Sequence, residues 1–423
     1  MLQLSFIRNN RELVVASLQK KNFQDTDLVE KIIAADDQRK QLQFQSDELL
    51  AKRNASSKEI GALMGQGKRE EAEALKSAVS SMKESIDQLA QELTAVEAKL
   101  DGMLVRLPNL PHSQVPAGKS AEDNEVVRQN GEIPKLHAGA VPHWDLITKY
   151  GLVDFQTGVK ITGSGFALYK GKGAKLQRAL IQYFLDHNIN AGYTEYIPPF
   201  VVNAASAYGT GQLPDKEGQM YHVTADELYL IPTAEVPVTN IYRDEIIAPA
   251  ELPVKMTAYT PCFRREAGSF GKDVRGLNRV HQFDKVEIVY MTTADKSYEV
   301  LEEMVVHVEK LIQSLGLPYR ILRLCGGDMG FASAMTYDFE VYSAAQERWL
   351  EVSSVSNFET FQSNRMKIRT RDENGKTQLV HTLNGSSLAL PRIMASLLEN
   401  YQTPDGILIP EVLRPYFGSD KIS

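Results

Sequence analysis

From residue 28 to residue 104 the chain contains no proline, and its apolar side chains recur every three or four positions. In the first half these are Leu28, Ile32, Ala35, Leu42, Leu49, Ile60 and Leu63, interrupted by Arg39, Ser46, Arg53 and Ser56. In the second half Leu75, Val79, Met82, Ile86, Leu89, Leu93, Val96 and Leu100 keep the spacing without a gap. Such a period belongs to a helix with one apolar seam. Between the halves stands Met64-Gly65-Gln66-Gly67-Lys68, where two glycines allow a tight reversal. Two seamed helices joined by so short a turn lie antiparallel, so the spacing predicts a helical hairpin. At about 1.5 Å per residue each arm extends roughly 55 Å. Ahead of it, residues 1–22 read as one short amphipathic helix with Ile7, Leu13, Val14 and Leu18 on its apolar side, and Asp27 and Glu30 read as a capping box.

A hairpin of this kind serves as a dimerisation coil, as a rigid spacer, or as a gripping arm. Lys52, Arg53, Lys58, Lys68 and Arg69 gather in the half nearest the turn, while Asp36, Asp37, Glu92 and Asp101 lie nearer the base. A basic patch on a projecting arm can hold a phosphate backbone by shape without reading bases. Bulk charge does not announce such a partner, because 47 Lys+Arg stand against 54 Asp+Glu for a net charge of −7. The footprint is therefore expected to be local. Only Cys262 and Cys325 are present, which argues against a disulfide framework and a structural zinc site and for a reducing compartment. The opening MLQLSFIRNNREL lacks the basic start and apolar run of a secretory signal, and no apolar run reaches membrane-spanning length. We expect a cytoplasmic protein that does not enter membranes.

Leu107-Pro108-Asn109-Leu110-Pro111 ends the helical arm, giving residues 1–107 as one domain. The Pro-, Gly- and charge-rich stretch 108–134 reads as a linker, and 135–423 as a second domain of strands and helices. Within it, Ala174–His187 carries a helical stripe and leads to an extended run, 193–201, that contains Pro198 and Pro199. Prolines there imply an edge, a kink or an interface. Gly163, Gly165, Gly171 and Gly173 read as turns, since no nucleotide-loop pattern accompanies them. A helix is expected over Ser297–Leu315, a strand over Trp349–Asn357, and a strand turning into a helix over His381–Arg392, with Pro391 in its first turn.

The stretch Pro261–Tyr290 reads as two strands joined by a polar loop bearing Gly268, Gly271, Lys272, Asp273, Arg275 and Gly276. Alternation places Arg264 with Glu266, and His281 with Phe283, Lys285 and Glu287. If those faces coincide, a planar cation for phosphate, a ring for a base and carboxylates for an amine share one surface. Alone, the same pattern also describes an edge hairpin with a solvated charged face.

Taken together, these residues resemble the seryl-tRNA synthetases of bacterial type, class II aminoacyl-tRNA synthetases, over essentially the whole chain. The three class II motifs have counterparts in order at Ala174–Val201, at Phe263–Glu287 with Phe263-Arg264-Arg265-Glu266, and at Asn384–Arg392. The serine-specific stretches resemble Thr233-Ala234-Glu235, Val280-His281-Gln282-Phe283, Glu351-Val352-Ser353-Ser354 and the helical arm. The resemblance implies an α+β fold: an antiparallel sheet flanked by helices, with the coiled-coil hairpin projecting from it. It further implies a homodimer with the first motif at its interface, and an ATP-dependent enzyme that forms seryl-adenylate and passes serine to tRNA(Ser), and to tRNA(Sec) where one exists. Two other readings stay open: a class II-like ligase that loads a carrier protein, and a catalytically inactive RNA-binding paralogue.

By the same resemblance, Arg264 holds the α-phosphate and the serine carboxylate, with Arg265 beside it. Glu266 accepts from the adenine amine, Phe283 stacks on the ring, and Arg392 covers its other face or the γ-phosphate. Val280, His281 and Gln282 line the nucleotide, His281 as an orienting group. Glu351 and Ser354 would ligate Mg²⁺, with Val352 and Ser353 between them, since hard oxygen ligands and phosphates suit that ion. Thr233, Ala234 and Glu235 receive the α-amine, Glu287 and Ser386 read the hydroxyl, and Asn384 supports the pocket. A site that hydrogen-bonds an alcohol can reject its deoxy analogue by about 10⁴–10⁵. The chain departs from many relatives at Ser387, whose hydroxyl is expected beside the pocket.

Overall fold

The computed structural model describes residues 1–215, 217–266 and 275–423. Gly268, Gly271, Lys272 and Asp273 of the hairpin loop lie outside the described residues. The chain forms two compact units, one of Leu2–Gln19 with Phe23–Pro108, the other chiefly Asn109–Ser423 with Lys20–Asn22.

In the first unit, α3 (Leu28–Gly65) and α4 (Arg69–Leu104) pack against each other as the hairpin the spacing predicts. Their 38 and 36 residues correspond to arms of about 55 Å. Gly67, at φ +77°, supplies the left-handed residue of the turn. Burial is not uniform along the seam. Leu28, Ile32 and Leu42 are buried near the base, whereas Leu49, Ile60 and Leu63 are only partly covered. A two-helix pair offers each residue a single neighbouring helix, so most seam positions near the turn stay only partly covered, Ala72 being a buried exception. One interruption of the seam is explained by Asp36, a fully buried carboxylate that accepts from Arg8, Arg39 and Lys40 at 3.1, 2.9 and 3.0 Å.

Two expectations at the N-terminus are corrected. The single helix is two, α1 (Leu4–Asn9) and α2 (Arg11–Lys20), broken at Asn10 (φ −130°). Leu13 is 55% exposed, while Ile7, Val14 and Leu18 are buried. The capping box does not form either. Asp27 makes no side-chain cap bond, and Glu30 pairs instead with Arg11.

The second unit is built on an eight-stranded sheet: β1 (Glu125–Asn130), β2 (Thr194–Glu195), β3 (Val254–Phe263), β4 (Gln282–Thr292), β5 (Tyr319–Arg323), β6 (Met335–Ser343), β7 (Arg348–Asn357) and β8 (His381–Ala389), in spatial order β1-β5-β6-β7-β8-β4-β3-β2. All neighbours are antiparallel except β2, which pairs parallel with β3. The segment read as a linker therefore contains an edge strand. Val126 and Val127 supply β-branched residues, and the ladder to β5 runs from Glu125↔Arg323 to Asn130↔Tyr319. The proline-bearing run is likewise interrupted: β2 stops at Glu195, and extended pairing resumes only at Val201, because proline cannot donate to a ladder.

One face of the sheet is closed by α6 (Gly171–Asn190), α7 (Ser297–Ser314) and α8 (Leu390–Asn400), whose Leu176, Leu180, Phe184, Val300, Met304, Val308, Ile393 and Leu397 belong to one buried cluster with Val286, Ile288, Tyr290, Tyr337, Phe339, Val352 and Leu383. Alternation then commits Lys285, Glu287, Asn384 and Ser386 to the opposite face. That is how burial on one side aims polar groups on the other. Among the described residues no helix is long and apolar enough to cross a membrane.

Candidate active site

The polar face of β7, β8, β4 and β3 gathers most of the residues singled out from the sequence. At one end sits a buried charge cluster. Glu287 is 2% exposed, and its carboxylate is 2.7 Å from the ammonium of Lys285, itself buried. Ser386, directly opposite Glu287 in the β8–β4 register, donates from Oγ to Glu287 Oε2 at 3.5 Å. Burial raises the Glu287 carboxyl above its usual range, while Lys285, Arg264 and the Ser386 hydroxyl oppose that rise. Nearby Glu235 opens a short helix, Glu235–Thr239, preceded by Thr233, whose Oγ1 accepts the Glu235 N–H at 3.2 Å. Burial first, and the neighbouring Glu287 charge second, push Glu235 up to about 7. Gln362 steadies it, donating to Oε1 at 2.6 Å, and Thr382 in turn donates to Gln362 at 2.7 Å. Ala234 is fully buried against Met256, Val289 and Met366. Asn384 is buried on β8 opposite Ser356 of β7.

Ser387 is not part of this cluster. Its Oγ donates to Asn188 Oδ1 of α6 at 2.8 Å, on the helix-covered side of the sheet. The expectation that its hydroxyl adjoins the pocket is corrected by strand alternation: Ser386 and Ser387 are consecutive, so they point to opposite faces.

Beyond β3 the chain leaves the ladder. Strand β3 ends at Phe263, so Arg264 and Glu266 are not placed by alternation, and Glu266 takes φ +48°. The guanidinium of Arg264 nonetheless stands over the Phe283 ring at 5.3 Å, with Nε donating to the Pro232 carbonyl at 3.3 Å. Arg265 stands over Tyr221 at 5.7 Å. Tyr221 Oη lies 2.7 Å from Nδ1 of His281, whose ring also covers Gly165 so closely that a Cβ there would sit 2.3 Å from Cδ2. His281 is therefore a packed and hydrogen-bonded ring, and Gly165 is the glycine that makes room for it. Glu266 accepts from Arg279 Nη1 at 2.9 Å. Val280 is buried, and Gln282 at the start of β4 is exposed.

The other end of the face is wetter. Glu351 on β7 keeps 49% of its side chain exposed and lies 3.4 Å from Arg392 Nη1. Arg392, in the first turn of α8, donates to the Glu351 and Asn278 carbonyls at 2.7 and 3.0 Å. Ser354 Oγ is 3.5 Å from Glu351 Oε1. Ser353 donates to the Ser386 carbonyl at 2.6 Å, and Val352 lies in the apolar core. These two residues thus brace the strand instead of presenting side chains to a ligand. Among the described residues no group of three His, Cys, Asp or Glu side chains could hold a metal ion. The structure does place Asp338 of β6 opposite Ser354, with Oδ1 shielded from solvent and without a hydrogen-bond partner. Burial, and then the Glu351 charge, hold the Asp338 carboxyl well above the usual range. A carboxyl oxygen without a partner, beside Glu351 and Ser354, adds a hard oxygen donor of the kind that a divalent cation takes.

Lys285, Gln362, Tyr221 and Asp338 were absent from the residues expected to form the site. Lys285 had a legible signal, two positions before Glu287 on the same strand face. The other three come from remote segments, and no local pattern marks them.

On the arm, Lys52 and Lys68 pair with Glu48 and Glu71 at 2.7 and 3.5 Å, and Arg53 donates to Asn54 at 3.3 Å. Lys58 and Arg69 are exposed.

Comparison with known proteins follows the same division. Residues 1–111 match the model of the seryl-tRNA synthetase N-terminal domain, and residues 221–401 match that of the tRNA synthetase class II core domain (G, H, P, S and T). The serine–tRNA ligase of Salinibacter ruber is 50% identical over 424 residues, covering 100% of this chain and 99% of that relative. The serine–tRNA ligase of Neisseria meningitidis serogroup C is 48% identical, covering 99% and 98%. The crystal structure of Pyrococcus horikoshii seryl-tRNA synthetase complexed with ATP is similar at a TM-score of 0.93 and 34% identity, covering 100% of this chain and 99% of that one.

Proposed function

The chain belongs to the seryl-tRNA synthetase family, and from that premise we propose how its own residues carry out the family's reaction. It is an ATP-dependent aminoacyl-tRNA ligase that joins serine to tRNA. The carrier-protein ligase and the inactive paralogue are not supported, since identity to serine–tRNA ligases runs the full length of the chain.

In the first step the serine carboxylate attacks the α-phosphorus of ATP and pyrophosphate leaves. In the second the terminal ribose hydroxyl of tRNA takes the seryl group and AMP leaves. Positioning and charge neutralisation carry most of such a transfer. We assign Arg264 to the α-phosphate and serine carboxylate, with Arg265 beside it. Phe283, Glu266 and Arg392 hold the adenine and phosphates. Thr233 and Glu235 take the α-ammonium, and Glu287 with Ser386 takes the side-chain hydroxyl. The observation that carries this reading is the buried Lys285–Glu287–Ser386 group, 2.7 and 3.5 Å apart. A buried carboxyl and hydroxyl aimed at the substrate's alcohol lose one hydrogen-bond partner when alanine replaces serine, which penalises the wrong substrate. Glu351 and Ser354 would hold Mg²⁺, which when bound neutralises charge on the phosphates.

We assign residues 1–107 to tRNA binding through Lys52, Arg53, Lys58, Lys68 and Arg69, and 135–423 to catalysis. We also propose a cytoplasmic homodimer that serylates tRNA(Sec) wherever its host has one. Pyrophosphate exchange with each amino acid in turn tests the core assignment: exchange is expected with serine alone, and exchange with a different amino acid overturns it. Deleting residues 26–107 is expected to spare exchange and abolish tRNA charging; charging by the shortened chain overturns the assignment of the arm.

A further inference from the structure

His143, absent from the roles above, lies at the start of α5 (His143–Lys149) and is fully buried. Its Nδ1 is 2.7 Å from Glu399 Oε1 of α8, and the same oxygen accepts the His143 backbone N–H at 2.9 Å. On the other side of the ring, the backbone N–H of Leu277 donates to Nε2 at 2.9 Å. One tautomer satisfies both contacts: the proton on Nδ1, given to the carboxylate, and the lone pair on Nε2, offered to the main chain. Gly276 is pressed against this ring. Its φ is +66°, and a Cβ there would lie 2.3 Å from Nε2. Asn278 is tied to the same group, because its Nδ2 donates to Gln346 Oε1 at 2.9 Å and Gln346 Nε2 donates to Glu399 Oε1 at 2.8 Å.

The next link leads to the nucleotide end of the site. Arg392 Nε donates to the Asn278 carbonyl at 3.0 Å, so the carbonyl that orients the guanidinium belongs to the segment fixed by His143. The second anchor of Arg392, the Glu351 carbonyl, comes from a different strand. Two carbonyls from separate elements define the plane of a guanidinium only if both are fixed, and the β7 ladder already fixes Glu351.

We propose that His143 is a positioning residue for ATP binding: by accepting from Leu277 it fixes Asn278, and Asn278 aims Arg392. The proposal rests on the reading of Arg392 as a nucleotide-binding group. Two substitutions separate the halves of the histidine's role. His143→Asn keeps a donor for Glu399 and removes the acceptor for Leu277. His143→Gln sets an amide oxygen near the Nε2 position and gives up the Glu399 bond.

In pyrophosphate exchange, His143→Asn is expected to raise KM for ATP about tenfold, as loss of one hydrogen bond to a buried N–H implies, with KM for serine within twofold. His143→Gln is expected to stay within about threefold of the parent for ATP while its Tm falls, because only the Glu399 bond is lost. Gly276→Ala, which keeps both His143 and Glu399 but presses a Cβ against the ring and parts it from the Leu277 N–H, is expected to raise KM for ATP like His143→Asn and serves if that variant folds poorly. Equal ATP effects for Asn and Gln, or no ATP effect from either Asn or Gly276→Ala, overturn the proposal and leave His143 a packing residue. Arg392→Ala keeps the two failures apart. An unchanged KM for ATP in that variant sinks the reading of Arg392 itself, whereas a raised KM there with none in His143→Asn sinks only the inference about His143.

Discussion

The two ends of the polar face, which we assign to serine and to the nucleotide, differ in how far their charges are taken out of water. At the serine end, Glu235, Lys285 and Glu287 are 7, 6 and 2% exposed. At the nucleotide end, the side chains of Glu351 and Arg392 are 49 and 24% exposed. Charges taken out of water are sensitive to every missing partner, and their protonation follows their neighbours. Charges left half in water are screened, but they can meet a large polyanion without a heavy desolvation cost. On the assignments proposed above, the first kind of environment tells a small alcohol from its analogues and the second holds a triphosphate.

That contrast can be broken most directly at Glu287. Glu287→Gln removes the buried charge opposite Lys285 and Ser386, so kcat/KM for serine is expected to fall about a thousandfold, in line with the loss of one buried ionic partner. KM for ATP should stay within about threefold, and discrimination against alanine should collapse. Serine-dependent pyrophosphate exchange, run with serine and alanine side by side, measures all three; an ATP effect as large as the serine effect would erase the distinction between the ends. Next in size is the cation. Glu351→Gln is expected to raise the Mg²⁺ concentration for half-maximal exchange by roughly 10–100-fold, and to weaken Mn²⁺ binding to the ATP complex by a similar factor in a spin-resonance titration. No change in either would remove Glu351 from the metal site.

How much of this was readable beforehand differs between the two units for a physical reason. The arm is a local structure. Its seam residues, its turn and its length follow from spacing that one helix imposes on itself, so α3 and α4 could be located to within a few residues. Even there, Asp27 misled, because a capping pattern states what the backbone could use and Arg11 competed for Glu30. The site is non-local. Glu287 and Ser386 are 99 residues apart, and they meet only because β8 pairs with β4 in one register. The resemblance supplied those residues as a set, whereas Gln362, Tyr221 and Asp338 entered through tertiary packing that no neighbouring residue signals. Pro198 and Pro199 were read as an edge, a kink or an interface; they lie outside any strand, shortly after β2, which is one of the two edge strands of the sheet.

The pH dependence sharpens the comparison further. Burial and the Glu287 charge lift Glu235 to about 7, so below that pH the unliganded pocket carries a proton where the ammonium of serine is assigned to bind. A carboxyl raised in the folded state makes the free protein lose stability as pH climbs from about 4.5 through 7, since the native form then gives up a proton it held more tightly than the unfolded chain. Serine binding runs the opposite way: it requires the anion, so KM for serine is expected to rise about fivefold from pH 7 to pH 6. KM for ATP should change much less, because Glu235 lies in the buried cluster assigned to serine and not beside Glu351 and Arg392. Initial rates of exchange between pH 5.5 and 8.5 decide it, and parallel slopes for both substrates would refute the assignment.

The smallest effect on activity is expected from Ser387→Ala, which probes the face that was misassigned. Its hydroxyl serves Asn188, and Asn188 in turn donates to Thr257, whose hydroxyl donates to the Glu287 carbonyl at 2.9 Å. Asn188 Oδ1 is also 2.7 Å from His307 Nε2, so it keeps a partner when Ser387 is truncated. Removing one of two partners of a buried amide costs about 1 kcal/mol, a loss that should appear as a lower Tm with both KM values within twofold of the parent. A serine-specific rise in KM would mean that the covered side of β8 reaches the pocket through Thr257 after all, and the separation between the polar face and its support would have to be redrawn along that chain of hydroxyls.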